Sequence, residues 1–134
     1  MTKKEQPESD DVVFNSPAIG RAWIRRFGDS VSRGTKAQLI LQRPVPDSDS
    51  PEDRKRQYDE KIEASDLLSK LGDEQALLVA EVLVSVPRSW LIPGAPDEID
   101  WSDPANLDYI QMQHYADILE RLRNGNVLQV QAKN

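Results

Sequence analysis

Cysteine is absent from this 134-residue chain, and histidine occurs once, as His114. The first absence removes disulfides, thiol nucleophiles and thiolate metal sites together, and it suits a reducing cytoplasm. The second leaves a Ser-His-Asp device dependent on one imidazole at a helix start, read as a surface or cap histidine. No serine stands in a G-x-S-x-G turn to complete such a device. The six glycines are scattered and form neither GxGxxG nor GxxxxGK, so a phosphate-cradling loop is missing as well. Apolar residues make up 38% of the chain, below the roughly 45–50% usual in globular domains, so a thin core is expected. Residues 1–11, MTKKEQPESDD, lack the apolar stretch of a secretory signal, and the longest apolar run, residues 76–86, is broken by Glu81 and Ser85. The expectation is a cytoplasmic protein with no membrane segment.

Charge is plentiful and unevenly placed. Residues 16–45 carry six basic residues against one acidic, whereas residues 46–134 carry nine basic and eighteen acidic. Such polarity suits docking of the basic part onto the acidic part within one chain, or association between copies.

The hydrophobic pattern predicts a mainly α fold: a small single-domain bundle of about four or five helices. Residues 1–15 read as a disordered tail, with Val-Val-Phe at 12–14 as an apolar hook or short strand; 16–125 form the helical domain, and 126–134 a flexible end. Ser16-Pro17 reads as the cap of a helix carrying Ile19, Trp23 and Phe27 at four-residue spacing and stopping at Gly28. Residues 35–43 suit a helix or a strand over 37–43. Ser50-Pro51-Glu52-Asp53 starts a second helix, with Tyr58, Ile62, Leu67, Leu68 and Leu71 as its inner stripe and Gly72 as its stop. Residues 73–86 read as a core helix centred on Leu77, Leu78, Val82 and Val86, or as a helix ending in a strand. Asp103-Pro104 starts a short turn, and Tyr115, Ile118, Leu119 and Leu122 mark a last helix closed by Gly125.

Few of the charged groups suggest catalysis. Asp97, Glu98, Asp100, Asp103 and Asp108 lie close in sequence, but D-E-I-D-W-S-D lacks the glycine and terminal glutamate of a calcium loop. No carboxylate pair stands in a cleft-forming context. Arg21, Arg25 and Arg26 surround Trp23 as phosphate-binding cations do, yet the chain is acidic, with a pI near 4.8, and the aromatics already fit an apolar stripe. The reading is therefore a non-enzyme without cofactor or metal.

The most distinctive stretch is residues 86–109, VPRSWLIPGAPDEIDWSDPANLDY, with two tryptophans, four prolines and five carboxylates. Over residues 50–124 the order EQALLVAEVLVSVPRSW, LIPGAPDEIDW, SDPANLDYIQMQHYADILERL resembles the tail assembly chaperones of long-tailed bacteriophages: an apolar helix, an aromatic turn, an acidic proline/glycine loop, then a capped helix. That resemblance implies a non-enzymatic chaperone or adaptor in the host cytoplasm, whose partners are the tape-measure and tail-tube proteins. Trp90, Leu91, Ile92, Trp101 and Tyr109 are the candidate partner-binding residues, with Arg21, Arg25 and Arg26 as candidate charged contacts. A structural subunit of a tail or head–tail connector and a small nucleic-acid-contacting regulator stand as alternatives, and self-association is left open.

Overall fold

The computed structural model describes residues 11–125. Residues 1–10 of the tail expected over 1–15, and the flexible end expected over 126–134, lie outside them. In chain order the elements are β1 (Val13–Phe14), α1 (Arg21–Gln42), α2 (Pro51–Val82), β2 (Leu83–Ser85) and α3 (Met112–Arg123), with 3-10 turns at Ser16–Ala18, Arg88–Trp90 and Pro104–Tyr109. The protein is mainly α, as the sequence pattern predicts. Two compact units are present: residues 25–75, and residues 11–24 together with 76–125.

The first unit is an antiparallel pairing of α1 with α2. Gln75 donates to the Ser30 hydroxyl at 3.0 Å, and Lys61 reaches the far end of α1, so partner numbers fall along α2 as they rise along α1. Small residues permit the approach: Ala37 and Ala64 are buried, and Gly34 lies against Leu68 and Leu71. Ser30, fully buried, has its hydroxyl satisfied by Gln75. The start of α2 follows the predicted chemistry, since the Ser50 hydroxyl accepts the Asp53 N–H at 3.1 Å with Glu52 and Asp53 in the first turn. The Lys61 ammonium donates to the carbonyls of Ile40, Leu41 and Arg43 at 3.2, 2.7 and 2.5 Å, satisfying acceptors that the end of α1 leaves open.

Several expected boundaries differ here. The strand alternative at 37–43 is overturned, because these residues continue α1 as far as Gln42. Helix stops at Gly28 and Gly72 are overturned too. A glycine ends a helix by adopting positive φ, and among the described glycines only Gly94 and Gly125 do so. Gly28 and Gly72 instead sit on open faces of α1 and α2, where packing on either side carries the helix through. The expected inner stripe of α2 holds in its second half and fails in its first. Ala64 and Leu71 are buried and Leu67 and Leu68 half-buried, whereas Tyr58 and Ile62 are 54% and 60% exposed, because at 3.6 residues per turn they stand about 140° and 180° around the helix from Leu71.

The second unit is built on α3, the end of α2 and the residues before α1. Its core contains Ile19, Trp23, Leu78, Val79, Val82, Leu83, Ile118 and Leu122, all buried. The Trp23 indole N–H donates to the Leu78 carbonyl at 2.9 Å, so its ring enters the core without an unpaired donor. Ile19, Trp23 and Phe27, predicted as one stripe, are all buried. The helix carrying Trp23 and Phe27 starts at Arg21, four residues after the expected first position at Pro17, and leaves Ile19 outside it, because Ser16–Ala18 closes a 3-10 turn and Ile19 leaves helical geometry behind it.

Both readings of residues 76–86 are realised in part. Helix α2 persists to Val82 and the chain then extends as β2, which pairs antiparallel with β1 through Val13↔Ser85 and Phe14↔Leu83. The apolar hook at 12–14 is thus a strand, with Val12 buried behind it. Gly125 takes φ 75 just past α3, as the C-terminal cap predicted for it.

Gly28→Ala and Gly72→Ala are each expected to stabilise the protein by about 0.5–1 kcal/mol in urea unfolding, since an added methyl meets open space. Lys61→Met is expected to destabilise by about 1–2 kcal/mol in the same measurement, because the open carbonyls lose a charged donor.

Candidate protein-binding surface

The stretch between β2 and α3 is irregular in secondary structure but densely tied. After buried Pro87 the 3-10 turn Arg88–Trp90 closes with Trp90 N–H donating to the Pro87 carbonyl at 2.9 Å. The chain then pairs with the segment entering α3: Leu91 bridges Ile110, Ile92 N–H donates to Tyr109 O, and Gln111 N–H donates to Trp90 O, both at 2.9 Å. The Gln111 side chain adds a bond to Leu91 O at 2.9 Å. Gly94, at φ 85, turns the chain back, a conformation that a β-carbon would strain. The Arg88 guanidinium donates to the carbonyls of Ala95 and Pro96, closing that turn from the inside.

The acidic half of the loop is accounted for by local bonds. Asp100 accepts from the Ser102 hydroxyl and backbone N–H at 2.6 and 3.0 Å, and these bonds hold its carboxyl below the usual range. Asp103 accepts from Ala105 N–H at 3.0 Å, as the cap predicted for the Pro104–Tyr109 turn. Asn106 fastens the two halves by donating to Asp100 O at 2.9 Å. Asp97 lies 3.8 Å from Arg88. Among the described residues, no three acidic or histidine side chains are grouped to hold a metal ion.

Helix α3 supplies the bed on which the loop rests. Residues 114, 118 and 121 fall on one face. His114 stacks on Trp90 with ring centroids 4.6 Å apart and planes 6° from parallel. The Arg121 guanidinium carbon stands 5.7 Å from the Trp90 ring centroid, a cation–π distance. Arg121 is paired with Asp11 and, at 3.2 Å, with Asp117. Burial pulls its pKa down, but the two carboxylates outweigh that and raise it. Tyr115, half-buried, has its hydroxyl pKa raised by burial and then by the charge of Asp108.

The predicted site residues therefore separate. Leu91, expected at the surface, is 8% exposed and belongs to the core, because its bridge to Ile110 turns it inward. Trp90 is half-buried, its ring engaged by His114 and Arg121. Trp101 and Tyr109 are also half-buried, and Ile92 is 38% exposed. Arg21, Arg25 and Arg26 are exposed along α1. Sequence reasoning missed Met112, the first residue of α3, which is 87% exposed. The signal was available: position 112 falls off the face defined by Ile118 and Leu122. The Leu91–Ile110 bridge sets Ile92 beside Tyr109, and Met112 follows two residues after Ile110, so three apolar side chains stand on a framework whose backbone is fixed. The chain matches no protein-family model, curated protein or solved structure.

Arg88→Met is expected to accelerate amide exchange at Gly94, Ala95 and Asp97 by about tenfold while global stability falls by about 1 kcal/mol. Exchange followed by mass spectrometry or NMR checks this.

Proposed function

We propose that this chain acts by binding other polypeptides, as a tail assembly chaperone or adaptor working in the host cytoplasm, with tape-measure and tail-tube proteins as its partners. The observation that carries this reading is a pair of exposed apolar side chains, Ile92 on a loop anchored at both ends and Met112, almost fully exposed, at the start of α3. A flexible thioether moulds itself to apolar helices of varied shape, while a prefixed backbone lowers the ordering cost of binding. Tyr109, next to Ile92 across the Leu91–Ile110 bridge, supplies further apolar area, and the acids of residues 97–108 keep the rim hydrated. No helix among the described residues is long and apolar enough to cross a membrane, and the partner surface proposed here faces water.

Co-expression with a tape-measure fragment and pull-down tests the reading. The paired substitution Ile92→Ser, Met112→Ser is expected to reduce capture at least about tenfold with the helical circular dichroism unchanged. Undiminished capture by this variant would remove the surface from consideration. Persistence of the chain at fixed stoichiometry in purified particles would favour a structural subunit over a chaperone.

A further inference from the structure

The helical hairpin of residues 25–75 carries a second surface, unrelated to the one above. Along one side of the α1–α2 seam runs a cleft of about 480 Å3, lined by Arg33, Lys36, Ala37 and Ile40 of α1 and by Glu60, Glu63, Ala64 and Leu67 of α2, with Arg43 at one end. Its floor is apolar, with buried Ala37 and Ala64 flanked by half-buried Ile40 and Leu67. Its rims are of opposite sign: basic on the α1 side, acidic on the α2 side. The contrast extends to the whole helices, since α1 carries five basic residues and one acidic, and α2 five basic and nine acidic. Within the hairpin the charges are only loosely used. Arg43 and Glu60 approach to 3.9 Å with both side chains about half exposed, and Arg33 pairs with its own helix neighbour Asp29 at 3.6 Å.

We propose that this face is a self-complementary interface, and that its occupant is the same face of a second copy of this chain. The argument is one of symmetry and charge. A twofold axis parallel to the helices, placed at the mouth of the cleft, sets α1 of one copy against α2 of the other. The basic rim then meets an acidic rim twice, and the paired apolar floors close on each other as in a four-helix bundle. Lys36 and Glu63 each directly precede a buried alanine of the floor, so both stand on its rims, and the axis brings the Lys36 rim of one copy to the Glu63 rim of the other. The other twofold arrangement, with its axis across the helices, brings like rims together and is disfavoured by the same charges.

Sedimentation equilibrium of the full chain tests this with exposed, fold-neutral substitutions. The protein is expected to form dimers that weaken as salt rises. Lys36→Glu and Glu63→Lys, each turning two attractive pairs into repulsive ones, are each expected to raise the dimer dissociation constant by about tenfold or more. The double variant Lys36→Glu, Glu63→Lys restores opposite signs and is expected to return it to within about threefold of the parent. A chain that stays monomeric at every concentration overturns the proposal, as does a dimer indifferent to the single substitutions or not rescued by the double. Loss of dimer on Ile92→Ser, Met112→Ser instead would move self-association to the other surface and overturn it equally.

Discussion

Backbone carbonyls outside regular hydrogen bonding are met in this molecule by long polar side chains arriving from elsewhere in the sequence, and the irregular parts of the fold depend on it. Lys61 closes the end of α1, Arg88 holds Ala95 and Pro96, Gln111 holds Leu91, and Asn106 holds Asp100. A chain with 38% apolar residues has little hydrophobic area with which to fix loops by burial alone. Each such donor replaces a water that the carbonyl would otherwise keep, and the charge of Lys61 and Arg88 strengthens the exchange where they make it. The result is a loop of proline and acid residues whose backbone is as tied as a strand's.

The same economy shapes the aromatic groups. Trp23 lies in the core with its indole N–H on Leu78 O, while Trp90 lies half out, flanked by an imidazole and a guanidinium. One tryptophan anchors by burial and the other by the polar faces of α3. The ion pairs of Arg121 with Asp11 and Asp117 bind the residues before β1 and the body of α3 to the same point, so a single arginine organises three segments distant in sequence.

What was legible in the sequence was whatever local chemistry decides. The Ser50 and Asp103 caps, the positive-φ glycine after α3, and the buried row Ile19, Trp23, Phe27 follow from spacing and residue type alone. The lengths of α1 and α2 did not, because Gly28 and Gly72 are ordinary helix-breaking residues until packing on both sides outweighs their cost. Tyr58 and Ile62 read as inner residues on apolar character alone, although the helical period already sets them on the side away from Leu71. For the candidate surface, the stretch was identifiable from its composition, but the orientation of Leu91 and Ile92 depended on a bridge to Ile110, a pairing between residues far apart that no local pattern reveals.

The accessibility of Met112 carries a chemical consequence. Among the described residues its thioether is the sulfur open to an oxidant arriving from solvent, and a single added oxygen turns a soft apolar group into a polar, chiral sulfoxide. The most adaptable of the exposed apolar side chains is therefore also the most perishable, and only reductive repair would return it to an apolar state.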